Sequence, residues 1–467
     1  MTDAARILSL AAARSDFGAL PVEEQAVWRD FILDTMAVMA AGAAHPSIGD
    51  ARRALVAAGG AGPASVMGFT QGASAGTAAL ANGMAMTVLQ LQDGHRRARG
   101  HPMSHVLPAA LAVAEETGAT TGEFLNAVVA GYEVSARIGA ALGGMQPLLH
   151  DTGTFGCIGA AVAAAFILGR GLEHPARAQL IEAAIGNAAA VALFPFRDTC
   201  MEGAGVHHLF VGLGAQNGIT AARTALAGLS PSPATLERFF GPRAGEGFDP
   251  ALLTQGIGAD GRWSRSEILS AYLKWHPVCA HLGPMLDCIE ALRDTPEGID
   301  PDRIAAVTIE VYSTALQYDS PDPRTDLAAR FSFRHAAALS LCLGPLHHDG
   351  FSPDRLRRPE VQAMAARVRL VADPRLDALY PENRPARVTL DLTDGSQAQA
   401  EVMAPKGDSS RPLSRSEVRT KAAALMRAAW AGDEPFHQTC HLLDETGPDL
   451  AQQLGRVLRQ GFAPQPG

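Results

Sequence analysis

The feature that most constrains the fold is a series of apolar segments, rich in alanine and glycine, that follow one another through the first half of the chain. Residues 159–165 read Gly-Ala-Ala-Val-Ala-Ala-Ala. Side chains this small let helices approach closely, so the run predicts tight helix packing rather than a flexible linker. Between residues 22 and 41, Val27, Phe31 and Met36 fall roughly on one side of a helix. We therefore predict that the first half is almost wholly α-helical.

The pattern changes after Lys274, which predicts a second structural region. Residues 307–312 and 386–392 show the alternation and β-branching of strands, and the second stretch ends at the turn signal Thr393-Asp394-Gly395. This α+β segment of roughly 130 residues fits one smaller domain. Helical patterns return from 414 to 429. A chain of 467 residues exceeds one comfortable hydrophobic core, so two domains are expected.

Composition excludes several classes of protein. The net charge of -9 argues against general nucleic-acid binding. No segment reaches the roughly 18 apolar residues of a membrane span, and the start of the chain lacks a signal-peptide pattern. The six cysteines form no CxxC pair, which favours a reduced, cytoplasmic setting.

The segment 89–105 is the strongest candidate for a functional site. It holds three histidines, three arginines and Asp93 between two apolar helical patterns, which indicates a loop held by buried helices. Arginines can clamp carboxylates, and imidazoles titrate near neutral pH. Asp93 can act as a base or orient an imidazole, most simply His95 or His101. The loop therefore predicts a small anionic substrate, and the alternative is a solvated basic surface loop.

A metal site is the obvious rival interpretation of this loop. Asp93, His95, His101 and His105 are ligand types, and His101 and His105 have the i, i+4 spacing of one helical face. Pro102 disfavours a regular helix through His101, however, so we predict no metal. The cluster His347-His348-Asp349 lies in a Gly/Pro turn and is interpreted as surface.

Eight short motifs occur in an order that matches a known family. They are Asn82-Gly83 before the Asp93 loop, His101-Pro102, Gly131-Tyr132-Glu133-Val134 with Arg137, His150 with Gly153 to Gly156, Lys274-Trp275-His276-Pro277-Val278-Cys279, Ala329-Arg330-Phe331-Ser332, Tyr380-Pro381 and Pro405-Lys406-Gly407-Asp408. On these motifs the chain resembles the MmgE/PrpD family, which includes 2-methylcitrate dehydratase, cis-aconitate decarboxylase and iminodisuccinate epimerase.

The resemblance implies a mainly α fold with a large all-α domain, a smaller α+β lid domain and an active site in the cleft between them. We place the helical domain at 1–270 and 405–455, the lid at 271–404 and a flexible tail at 456–467. The family further implies a homodimer and chemistry without a metal or other cofactor.

The predicted site combines the resemblance with the chemistry of the side chains. Decarboxylation, dehydration and epimerisation of polycarboxylates all need cations for the carboxylates and one or two proton carriers. We assign Lys274 and Arg97 to carboxylate binding and the imidazoles to proton transfer. The predicted catalytic residues are Asp93, His101, His150, His207, Lys274 and His276, and the predicted substrate-binding residues are Gln90, His95, Arg97 and Tyr318.

Departures from the family pattern affect the predicted reaction. Gln90 and Gln92 stand where members usually have carboxylates, and an amide cannot take a proton at neutral pH. His207 stands where members have a lysine. We predict a lyase, and the reaction we favour is dehydration of a small di- or tricarboxylate. Epimerisation or cis-aconitate-type decarboxylation is the alternative, and a binding protein that has lost catalysis is the second alternative.

Overall fold

The computed structural model describes residues 4–295, 298, 300–430 and 432–462. The helices are α1 (Ala4–Ala12), α2 (Val22–Ala44), α3 (Gly49–Gly59), α4 (Ala75–Ala85), α5 (Pro102–Thr117), α6 (Thr121–Ala141), α7 (Phe155–Leu168), α8 (His174–Ala190), α9 (Leu209–Leu226), α10 (Gly241–Ala244), α11 (Gly283–Arg293), α12 (Asp326–Ala329), α13 (Phe333–Leu343), α14 (Pro353–Leu356), α15 (Pro359–Ala366), α16 (Pro374–Asp377), α17 (Arg415–Trp430), α18 (Glu434–Glu445) and α19 (Leu450–Leu458). The strands are β1 (Ala61–Ala64), β2 (Gly94–His95), β3 (Ala271–Tyr272), β4 (Ile304–Val311), β5 (Val368–Ala372), β6 (Ala386–Leu392) and β7 (Gln397–Val402). The protein is therefore mainly α, as predicted.

The helices of the first half and the last three helices share one hydrophobic core. Helix α7 carries the small-residue run 159–165 and packs between α6 and α9. A Cβ atom at Gly131 of α6 would lie 2.6 Å from the carbonyl oxygen of Gly159, and a Cβ at Gly159 would lie 2.8 Å from the carbonyl oxygen of Gly131. Only glycine permits this approach, so the prediction of tight packing is confirmed.

A second hydrophobic core lies around a four-stranded sheet and the helices α11, α13 and α15. The strand order is β5-β4-β6-β7, with β4 and β5 parallel and the other neighbours antiparallel. Gly395 adopts a φ of 84° in the turn between β6 and β7, where the sequence predicts a turn. Both predicted strands are present. The division into a helical domain and a lid with a cleft between them stays a prediction.

The C-terminal helix extends into the range predicted as a flexible tail. Helix α19 ends at Leu458, which is buried with Leu454 in the first core. The ring of Phe462 lies 5.3 Å from the ring of Trp430. Apolar packing therefore orders the chain beyond residue 456, and residues 463–467 lie outside the described part.

A search of the described residues for membrane-spanning helices finds no single helix of sufficient length and apolar character. The helical segments Val22–Ala44 and Pro46–Gly59 meet the criterion only as a pair that is bent by 72°.

Candidate active site

A short antiparallel pairing brings the loop between α4 and α5 next to Lys274. Gly94 of β2 pairs with Tyr272 of β3, and a Cβ at Gly94 would lie 2.1 Å from the Tyr272 ring. Lys274 follows β3, and its Nζ donates a 3.0 Å hydrogen bond to the backbone carbonyl of Gln90. The Nε2 atoms of Gln90 and His207 lie 3.3 Å apart. The loop, Lys274 and His207 thus meet in the interior.

Three of the predicted imidazoles converge on this point. The rings of His150 and His207 are 4.9 Å apart between centroids. His101 precedes the first residue of α5, and its Nδ1 contacts the backbone carbonyl of Asp93. The charges of Lys274 and His150 both act on the His101 ring, so the three groups share one electrostatic environment. We call His101, His150, His207, Lys274 and Asp151 the imidazole cluster.

Burial sets the protonation states in this cluster. It lowers the pKa of His101 to about 3 and that of His207 well below its usual value, so both rings are neutral at pH 7. It also lowers the pKa of Lys274 to about 8, against the attraction of Cys279 and Asp151. Burial alone would raise the pKa of Asp151, but His150 and His101 together bring it below its usual value. In the ligand-free cluster the neutral rings of His101 and His207 therefore lie beside one ammonium group and one carboxylate.

The side chain of Asp93 does not orient an imidazole, contrary to the sequence prediction. Its carboxylate accepts the backbone N–H of Met103 at 3.1 Å and the hydroxyl of Ser104 at 3.2 Å. Those N–H and O–H donors lie in the first turn of α5, where unpaired donors need an acceptor. Burial raises the pKa of Asp93 to about 7. Asp93 therefore fixes the start of α5, and only its backbone carbonyl touches His101.

His95 and Arg97 belong to a different network, in which His95 is buried and Arg97 is exposed. His95 Nε2 lies 3.2 Å from a carboxylate oxygen of Glu267, and Arg97 donates to the other oxygen at 3.1 Å. Arg137 contacts Glu267 and also pairs with Glu133. These charges compensate one another, so the structure gives His95 and Arg97 partners outside the imidazole cluster. Their assignment to substrate binding stays an unsupported prediction.

His276 is likewise held outside the imidazole cluster. Its Nε2 lies 2.8 Å from Asp287, whose carboxylate also accepts the backbone N–H of Lys406 and a guanidinium hydrogen bond from Arg411. A cavity of about 650 Å³ lies nearby, and its lining includes Trp275, Glu290 and Lys406. No residue of the imidazole cluster lines this cavity. We place the candidate site at the cluster because the proton carriers lie there.

Several residues near the cluster were not singled out in the sequence. Asp151 follows His150 and Cys279 closes the Lys274 motif, so both had a local signal. Arg384 and His281 had none. The charges of Arg384 and Lys274 both act on His281 and lower its pKa further than burial does alone. The predicted Tyr318 stacks on the His281 ring at 4.4 Å, which places Tyr318 at the edge of this group.

Two residues of the imidazole cluster and the neighbouring Cys200 together have the composition of a metal site. Ligand atoms of His150, Cys200 and His207 lie within 4.8 Å of one another. The Cys200 thiol donates to the carbonyl of Arg197 at 3.0 Å, and burial raises its pKa. This raised pKa belongs to the metal-free protein, because a metal ion bound to the sulfur would displace its proton.

Comparison with known proteins supplies the family. Models of the MmgE/PrpD N-terminal domain and the MmgE/PrpD C-terminal domain match residues 6–245 and 276–437. The cis-aconitate decarboxylase-like protein oryM of Aspergillus oryzae is 25% identical over 439 residues, 84% of each chain. The cis-aconitate decarboxylase of Aspergillus terreus is 27% identical over 372 residues, 73% of each chain. The relatives support lyase chemistry at the level of the family. The chain belongs to the MmgE/PrpD family.

Proposed function

We propose that this protein is a lyase that acts on a small di- or tricarboxylate and breaks a bond at the carbon beside a carboxylate. The observation that carries the proposal is the convergence of His101, His150 and His207 on the buried ammonium group of Lys274. Negative charge develops next to the substrate carboxylate, and a fixed cation stabilises it. The imidazoles are the proton carriers that the reaction requires.

Decarboxylation of a cis-aconitate-like tricarboxylate is the first reaction to test, because two relatives carry that activity in their names. When the carbon–carbon bond breaks, carbon dioxide leaves and the electron pair stays on the substrate, which then needs a proton. His101 and His207 are neutral in the ligand-free protein. Bound carboxylates raise the pKa of a neighbouring imidazole, so a ring can take up a proton on binding and deliver it to carbon.

Dehydration is the second candidate, and the neutral state of His101 favours it. A neutral imidazole accepts a proton from the carbon beside a carboxylate, and the hydroxide that leaves then takes a proton to form water. The carboxylates that family members usually carry in the loop are replaced by Gln90 and Gln92 here. His101 and His207 are neutral imidazoles that can accept this proton.

Proton NMR in deuterated water separates these reactions. The protein is incubated with cis-aconitate and, separately, with citrate and 2-methylcitrate. Loss of carbon dioxide with deuterium in the product supports decarboxylation, and a new alkene from a hydroxy acid supports dehydration. Deuterium in otherwise unchanged substrate indicates epimerisation. Thermal stabilisation by these acids without any turnover contradicts the lyase proposal and favours a binding protein.

Metal independence, homodimer assembly and a cytoplasmic location are further parts of this proposal. The first is what the resemblance to the MmgE/PrpD family implies. Activity that survives dialysis against EDTA, and a mass of two chains by light scattering, are the expected results. Loss of activity that zinc restores contradicts metal independence, and a mass of one chain contradicts the dimer.

A further inference from the structure

Arg384 differs from the other buried arginines in lacking partners for most of its donors. Arg330 pairs with Asp326, Arg137 pairs with Glu133, and Arg52 donates to three backbone carbonyl oxygens. Arg384 is 6% exposed and makes one hydrogen bond, from Nη1 to the hydroxyl of Tyr272 at 2.8 Å. Within the described part of the chain, no carboxylate lies within ion-pair distance of its guanidinium.

The unused donors of Arg384 form one edge of the guanidinium group. Its Nε is buried without a hydrogen-bond partner, and Nη2 makes no hydrogen bond to the described residues. The N–H bonds of Nε and Nη2 point in the same direction within the guanidinium plane, and their spacing matches the two oxygens of a carboxylate. A buried cation is unfavourable unless an anion pairs with it. The geometry therefore calls for an anion on this edge.

The surroundings of Arg384 connect it to the imidazole cluster. Its charge acts on Lys274, Cys279 and His281, so these groups share one electrostatic environment. Tyr272, the hydrogen-bond partner of Arg384, also lines a cavity of about 20 Å³ together with Lys274 and Cys279, although Arg384 itself does not line it.

We propose that Arg384 binds one carboxylate of the substrate through Nε and Nη2, at a position distinct from the carboxylate that Lys274 attracts. This inference rests on the proposed function, because it assumes a polycarboxylate at the imidazole cluster. Two cations on separate chain segments then select substrates with at least two carboxylates. Lysine cannot replace this arginine fully, because an ammonium group lacks the planar pair of donors.

Binding of tricarballylate, a tricarboxylate without a hydroxyl group or double bond, tests this role without turnover. Isothermal titration compares the wild-type protein with Arg384→Met and Arg384→Lys. We expect Arg384→Met to bind roughly tenfold more weakly or worse, since hydrogen bonds between charged groups contribute that much. The affinity of Arg384→Lys should lie between that of the wild type and that of Arg384→Met. Arg387→Gln is the matched control, because Arg387 pairs with Glu401 and Glu310 on the sheet.

A second measurement separates a binding role from a structural one. Removing a buried unpaired cation leaves the ligand-free melting temperature of Arg384→Met equal to or above that of the wild type, whereas Arg330→Met lowers it because Asp326 loses its partner. Wild-type affinity in Arg384→Met overturns the inference even if the wild-type enzyme turns substrate over. Weakened binding in Arg384→Met supports the inference even if no acid is turned over, and then only the lyase proposal fails. A wild-type protein that does not bind tricarballylate overturns both.

Discussion

Replacing Lys274 with methionine tests the electrostatics of the cluster directly. Lys274 is 6% exposed, and burial lowers its pKa from 10.5 to about 8. Between these two values the folded protein binds fewer protons at this site than the unfolded chain does. The free energy of unfolding of the wild type therefore rises with pH across this window. A methionine has no proton to lose, so Lys274→Met lacks this contribution.

The size of the effect follows from the pKa gap. One pKa unit corresponds to about 1.4 kcal/mol, so the free energy of unfolding of the wild type should rise by about 2 kcal/mol relative to Lys274→Met from about pH 7.5 to about pH 9.5. Below about pH 7.5 the charged lysine is destabilising, and the variant should be the more stable protein. Other titrating groups are common to both proteins and cancel in the comparison.

Urea unfolding of both proteins at the two pH values measures the difference. Lys406→Met controls for the loss of a lysine, since Lys406 is a partly exposed lysine whose Nζ pairs with Glu417 at 2.7 Å. A difference between wild type and Lys274→Met that stays constant with pH refutes the reasoning, as does one that changes in the opposite direction. Between the wild type and Lys406→Met, the difference in the free energy of unfolding should not shift in favour of the wild type over this pH range.

Four further measurements follow from the site. His101→Gln should lower kcat by about 10²-fold or more while the melting temperature changes little, because the ring is a proton carrier. His276→Asn should lower the melting temperature and change kcat little, because it breaks the buried pair with Asp287. The rate at low substrate concentration should fall as pH rises above about 8, when Lys274 loses its proton. Dialysis against EDTA should leave the rate unchanged, as measured by NMR.

The spacing of apolar residues predicted those helices and strands whose buried residues repeat regularly along the sequence. The predicted helix 22–41 corresponds to α2, which ends at Ala44, and the predicted strand 386–392 corresponds to β6. Apolar and small residues repeat at the spacing of the element in both cases, so the neighbours in sequence carry the information. The start of α5 was placed four residues too late, at 106 instead of Pro102. The carboxylate that caps this helix comes from Asp93, nine residues before its first residue, which no local pattern reveals.

The choice of partner among charged side chains was the part that the sequence could not supply. Composition and motif pointed to the loop 89–105, and His101 does lie in the cluster with His150 and Lys274. His95, six residues earlier, pairs with Glu267 instead. Both histidines have the same chemistry in the sequence, and the difference arises from contacts with residues more than 40 positions away. Residue type therefore predicts the kind of site, and tertiary contacts decide which residues form it.

Pairing gives a physical criterion for separating structural from functional charges in this protein. The guanidinium of Arg330 and the ring of His276 are buried against carboxylates, so both groups are paired within the fold and are not available to a ligand. Lys274 and Arg384 are buried to a similar degree, yet neither has a carboxylate within ion-pair distance in the described ranges. Burying such cations destabilises the ligand-free protein, and a substrate that brings two carboxylates removes that penalty. The same unpaired charge that weakens the empty fold therefore increases affinity for a polyanion, which is why stability and binding should change in opposite directions in Arg384→Met.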